Sequence, residues 1–232
     1  MKADIQNNLR KTVNVLASEI GSRGYLQINE LNRTIDYITS ELSDYGYSVF
    51  DQPYDYKGMT YKNIYVEKKG MNAQEEILVI GAHYDTVTGT PGADDNASAV
   101  AGLLELARLL AGTPLNKTVH FVAFTLEEPT LFRSKSMGSY VYAKSLNQAG
   151  RDVKGMICLE MIGYFSDEPG SQLLPLSFLK WFYPDKGNFI TLVSNIKSRG
   201  FLNRVKGGFK EGTDLPVESL STVFIVPGVD FS

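Results

Sequence analysis

The stretch Ile77-Leu78-Val79-Ile80-Gly81-Ala82-His83-Tyr84-Asp85-Thr86-Val87 decides the fold. Its first six residues form a short continuous apolar run, the pattern of a strand buried on both faces. Strands of that kind belong to helix-covered sheets, and the polar residues that follow lie at the carboxyl end, where open α/β sheets build their sites. Downstream, residues 98–111 are rich in Ala and Leu and predict a helix. Residues 119–126 predict a strand, 138–149 a helix and 156–162 another apolar strand, with 189–194 and 222–226 completing the set. Upstream, Ile5, Leu9, Leu16 and Ile20 mark one helix face that stops at Gly21. Leu31, Ile35, Ile38, Leu42 and Tyr45 mark a second helix that stops at Gly46. Residues 47–52 and 61–68 predict strands. The alternation points to an α/β fold, with a mixed, mostly parallel central sheet flanked by helices, spanning residues 1–232 as a single domain. The irregular stretch 166–187, which holds Trp181, is expected to be an ordered surface loop, either a connection or the rim of a pocket.

Composition narrows the chemistry. The chain has 232 residues, with 23 Lys and Arg against 26 Asp and Glu, a formal charge of −3. No basic surface argues for nucleic acid as a partner. A single cysteine excludes an internal disulfide framework, and Cys158 inside its apolar run is expected to be a buried small hydrophobe. No apolar segment is long enough to span a bilayer. The first eight residues lack an apolar signal core, so a cytoplasmic chain is expected as written, and a secreted or periplasmic one if a leader has been removed. His83 and His120 are the two histidines. A three-histidine metal site is therefore impossible within one chain, and any metal site must lean on carboxylates.

Four segments carry the candidate residues. His83 and Asp85 are two apart and share a face of an extended backbone, so the carboxylate can orient the imidazole. Asp94 and Asp95 lie between a glycine turn and a helix start, where Asn96 and Ser98 are expected to serve as caps. Glu127 and Glu128 close an apolar strand, and such paired like charges repel unless a proton or cation lies between them. Adjacent side chains point to different places, so one can bind a metal while the other acts as general base. Glu160 sits within an apolar run, costly for a carboxylate unless paired or metal-bound. His83, Asp95, Glu128 and Glu160 make an oxygen-rich set with one imidazole, which suits zinc. A bridging carboxylate would let the set hold two ions. His120 lies eight residues before Glu128, about 26 Å along an extended chain, and is expected to be structural.

The order and spacing of these segments resemble the co-catalytic zinc aminopeptidases, metallopeptidase family 28. The resemblance runs from the helical amino terminus through residues 81–86, 91–98, 127–128 and 159–164. It implies that His83 and Glu160 bind one zinc, that Asp95 bridges two, and that Glu128 binds the second. It also implies that Glu127 is the general base, that Asp85 orients His83, and that the Asp95–Asn96 peptide bond is cis. Hydrolysis of an amino-terminal peptide bond in a peptide or small amide substrate is the activity implied. The family adds a histidine ligand in a Ser-Asp-His element. Here Phe231-Ser232 resembles the lead-in to that element, so the second zinc site is expected to lack its histidine. One occupied or partly occupied metal, reduced or absent peptidase activity and self-association through an edge left uncovered are the expectations from that departure. Two other readings are a non-catalytic binding domain on the same fold and a single-zinc acyltransferase like glutaminyl cyclase.

Overall fold

The structure, a computed structural model, describes residues 2–172 and 184–222. The chain divides into two compact units, Met1–Gly163 and Tyr164–Ser232.

The first unit opens with helix α1 (Lys2–Asn14), continued by a wider π-type turn (Val15–Ile20), and then α2 (Ile28–Asp44). Leu31, Ile38 and Leu42 of α2 are buried, the face expected from their spacing. An antiparallel pair follows, β1 (Val49–Tyr56) and β2 (Met59–Lys68). Next come β3 (Ala73–His83), α3 (Ala99–Leu110), β4 (Lys117–Phe124), α4 (Gly138–Gln148) and β5 (Asp152–Cys158). The five strands form one mixed sheet in the order β1-β2-β4-β3-β5. β2 meets β4 antiparallel, while β4, β3 and β5 run parallel. β3 lies inside the sheet between β4 and β5, and its Ile77, Val79, Ile80 and Ala82 are buried as the continuous apolar run requires. Leu103 and Leu104 of α3 pack in one cluster with Ile38, Ile64 and Phe121.

The second unit places β6 (Ile190–Asn195) and β7 (Val217–Thr222) parallel, joined through α5 (Arg199–Gly212). Leu202 of α5 and Val217 of β7 are buried, and Lys206 Nζ donates to Ser219 Oγ at 2.9 Å. Residues 223–226 and Trp181 lie outside the described residues. Among the described residues no helix is long and apolar enough to cross a membrane.

Two expectations need correction. The apolar run 156–162 is not all strand: β5 ends at Cys158, and residues 159–163 are irregular. Cys158 is exposed rather than buried, because it is the last residue of β5, which stands at the edge of this sheet among the described residues.

The parallel register explains why the candidate residues converge. His83 of β3 pairs with Phe124 of β4, and Gly81 of β3 with Cys158 of β5. Three adjacent strands therefore end on one edge, with His83 on the first, Glu127 and Glu128 just past the second, and Glu160 just past the third. Asn63 of β2 ties this edge to the following helix. Its Nδ2 donates to Gly138 O at 2.8 Å, and its Oδ1 accepts from Thr125 N at 3.3 Å. Gly138 leaves no room for a side chain, since a Cβ there would lie 2.2 Å from Asn63 Oδ1 and 2.6 Å from Thr125 O. Gly138→Ala should therefore cost about 1–3 kcal/mol of stability by overpacking, read as a lower denaturant midpoint at unchanged slope.

Candidate metal centre

His83 ends the regular strand β3, whereas Asp95, Glu127 and Glu160 lie on or beside backbone that breaks regular structure. Asp95 lies in the segment Ala93–Ser98, whose helical turns are interrupted at Asp95 (φ −102°, ψ 93°) and Asn96 (φ −132°, ψ 33°). The peptide bond between these two residues is cis. Leu126, just before Glu127, and Met161, just after Glu160, both have positive φ, at 60° and 45°. Such backbone is costly for residues with a Cβ and concentrates at functional sites.

His83 is buried, and its Nδ1 lies 3.1 Å from the main-chain carbonyl of Asp85. A carbonyl can only accept, so Nδ1 carries the hydrogen and Nε2 faces the site. Around Nε2 stand Asp95 Oδ1 at 3.2 Å, Glu160 Oε1 at 3.4 Å and Glu127 Oε2 at 3.7 Å. The Asp85 carboxylate is 3.5 Å from Nδ1, but its oxygens are used elsewhere. Oδ1 accepts from Glu127 N and Oδ2 from Glu128 N, both at 3.2 Å. Asp85 thus holds His83 through its carbonyl and the two glutamates through its side chain. Glu128 turns its Oε1 to the amide of Val87 at 3.0 Å.

Asn96 and Ser98 do not cap a helix. With Asp94 they grip three consecutive amides of the irregular segment after β5. Asn96 Oδ1 accepts from Met161 N at 3.1 Å, Ser98 Oγ from Ile162 N at 3.1 Å, and Asp94 Oδ1 from Gly163 N at 2.8 Å. Asn96 Nδ2 donates to Glu160 Oε2 at 2.9 Å, fixing that carboxylate beside Asp95.

Charge is crowded here. Burial works against a charged His83, but the carboxylates of Asp85, Asp95 and Glu160 outweigh it and hold the imidazole well above its ordinary pKa. Burial, reinforced by Glu160, Asp85 and Glu128, pushes Glu127 up to about 8. Burial and Asp95 push Glu128 up to about 7. A cation among these oxygens would relieve the repulsion.

The donor set fits a metal. One ligand atom from each of His83, Asp95 and Glu160 lies within 4.8 Å of the others. Two ligands each about 2.0–2.1 Å from a tetrahedral zinc stand about 3.4 Å apart, close to the separations at Nε2. Although the Asp95 side chain is 43% exposed, its Oδ1 is buried and makes no aligned hydrogen bond, as a metal-facing oxygen would. His120 takes no part: it is buried in β4, with Nδ1 2.8 Å from Tyr142 Oη and Nε2 3.5 Å from Glu67 Oε1.

Two contributors escape sequence reasoning. One is Asn63, an amide in a strand that also carries Thr60, Lys62, Glu67 and Lys68, so nothing in the sequence sets it apart. The other is Arg23, in Gly21-Ser22-Arg23-Gly24, which is fully buried behind the site. Burial lowers its pKa to about 10, with Asp85 and Asp95 opposing the fall, so it stays charged at neutral pH.

Comparison with known proteins gives consistent matches. The model of peptidase family M28 matches residues 63–176. Protein YfbL of Escherichia coli K12 is 44% identical over 232 residues, covering 97% of this chain and 70% of its own. Aminopeptidase YwaD of Bacillus subtilis is 36% identical over 95 residues, 40% of this chain and 21% of that enzyme. The structure of BSAP, a zinc aminopeptidase from Bacillus subtilis, superposes with a TM-score of 0.66 at 16% identity, over 95% of this chain and 87% of that one. The chain thus spans about a fifth of the length of YwaD and most of the length of YfbL.

Proposed function

Because the chain belongs to peptidase family M28, we propose that it is a zinc-dependent aminopeptidase that hydrolyses amino-terminal peptide bonds. The observation that carries this reading is the convergence of His83, Asp95 and Glu160 on one point, with Glu127 Oε2 3.7 Å from His83 Nε2. His83, Asp95 and Glu160 would hold one zinc, and Asp95 with Glu128 would contribute to a second. Bound zinc supplies Lewis acidity, which acidifies water and polarises the scissile carbonyl.

The chain's own residues do the rest. Glu127 takes the proton of the attacking water and passes it to the leaving amine as the C–N bond breaks. Asp85 holds the amides of Glu127 and Glu128, which fixes the general base relative to the triad. Asn96 keeps the Glu160 carboxylate turned toward Asp95. The imidazole of His83 presents Nε2 to the site because Nδ1 is committed to Asp85 O.

The test is release of chromophore from aminoacyl anilides by zinc-loaded protein, with a peptide bearing amino-terminal glutamine run alongside. Hydrolysis of the anilides that stops on chelation and returns with zinc supports the aminopeptidase reading. Cyclisation of the glutamine peptide without anilide hydrolysis would replace it with acyl transfer. Zinc binding without either reaction would leave a binding domain on a peptidase fold.

A further inference from the structure

Arg23 is the largest fully buried side chain in the described structure, and its donors are spent on main-chain carbonyls. Nε donates to Tyr84 O at 2.8 Å, the peptide that directly follows His83. Nη1 faces Leu16 O and Gly21 O, both at 2.7 Å, and Pro91 O at 3.0 Å. Nη2 reaches Gly92 O at 3.4 Å, and the same carbonyl accepts from Ala97 N at 3.0 Å. The backbone of Arg23 is tied in as well. Its N donates to Thr86 Oγ1 at 2.9 Å, and its O accepts from Thr86 N at 3.3 Å. One planar cation therefore touches three pieces of chain at once: the end of the first helical segment, the turn after His83, and the turn before Asp95.

The packing around it is close. Gly92 has φ +58°, and a Cβ there would lie 2.3 Å from Thr86 Cγ2 and 2.4 Å from Asp95 O.

We propose that Arg23 is a positioning residue of the metal centre, whose guanidinium sets the spacing between the turn that carries His83 and the turn that carries Asp95. The inference rests on the metal reading above. A lysine cannot replace it, because one ammonium has no fixed fork with which to span the same carbonyls. Groups that orient metal ligands from behind typically cost about 10–100-fold in metal affinity when changed.

The experiment compares full-length wild type, Arg23→Lys and Ile38→Ala. Ile38 is a buried residue of α2 that is none of the candidate ligands and makes none of the Arg23 contacts, so its truncation supplies a plain stability loss. Zinc affinity is measured by competition with a chelator, and site geometry by the visible spectrum of bound cobalt(II). Arg23→Lys should bind zinc about 10–100-fold more weakly and shift the cobalt bands, while Ile38→Ala keeps wild-type affinity and spectrum despite a lower Tm. Should Arg23→Lys fail to fold, Thr86→Val carries the test. It removes the hydroxyl that accepts from Arg23 N and donates to Thr90 O, and it should weaken zinc binding in the same direction. Affinity and spectrum in Arg23→Lys equal to those of Ile38→Ala would overturn the proposal; where Arg23→Lys does not fold, wild-type affinity and spectrum in Thr86→Val would overturn it instead. A wild-type chain that binds neither ion overturns the metal reading itself and the proposal with it.

Discussion

Glu127→Gln should lower turnover of an aminoacyl anilide by about 10²–10⁴-fold, the usual worth of a positioned general base. Zinc content should stay at the wild-type level, because Glu127 stands outside the triad of His83, Asp95 and Glu160. The amide is nearly isosteric, and the main-chain bond from Glu127 N to Asp85 is untouched. A second readout separates chemistry from folding. In metal-stripped protein the folded state raises the Glu127 pKa from 4.5 to about 8. Between those values the folded chain binds more protons than the unfolded one, so stability falls as pH rises. The Tm of stripped wild type should therefore decline across that window, and Glu127→Gln should flatten the decline. A variant with wild-type turnover would remove Glu127 from the chemistry; an unchanged pH slope would remove it from the strained charge cluster.

His83→Ala should abolish zinc binding and peptidase activity together. His83 offers the one nitrogen of the triad and the atom on which the carboxylates converge. Zinc at 100 times its Kd stabilises the folded state by about 2.7 kcal/mol. For a chain of this size that corresponds to a rise in Tm of roughly 5–11 °C, and His83→Ala should lose it. Zinc affinity in wild type should strengthen as pH rises, because the ligands must shed protons to bind. Even without metal the variant should melt lower near neutral pH. The protonated imidazole otherwise offsets Asp85, Asp95 and Glu160, and its removal leaves those carboxylates facing one another. Retention of zinc by His83→Ala at wild-type affinity would sink the assignment of the centre.

The sheet was legible because its signal is local. The apolar run at 77–82 marks a doubly covered strand wherever it lies in the fold, and the polar residues after it mark a carboxyl-terminal edge. His83, Glu127 and Glu128 follow from that logic alone. Glu160 stands out as a carboxylate inside an apolar run and Asp95 as one of two acids before a helix start, and the family resemblance adds the roles each is expected to play. The run through 156–162 looked continuous because hydrophobicity does not register where pairing stops, and β5 ends at Cys158. Asn96 and Ser98 looked like caps because a capping oxygen and a long-range acceptor are the same chemical group. What selects between them is the presence of free amides at 161–163, more than sixty residues away. Arg23 gave no signal for the same reason. Its acceptors are carbonyls, which every residue has, and the decisive ones lie 61 to 69 positions downstream.

The grip of Asp94, Asn96 and Ser98 on the segment after β5 also has a consequence for motion. Those three amides belong to no helix or strand, yet each is held by a side chain rooted in the segment that opens α3. Exchange of their hydrogens with solvent is then gated by release of three side chains rather than by fraying of a ladder. Glu160 opens this segment, so its carboxylate cannot swing clear on the fast timescale of an ordinary surface loop. These three amides should therefore exchange more slowly than those of an unheld surface loop, as read by hydrogen exchange, and release of a captured ion should slow with them.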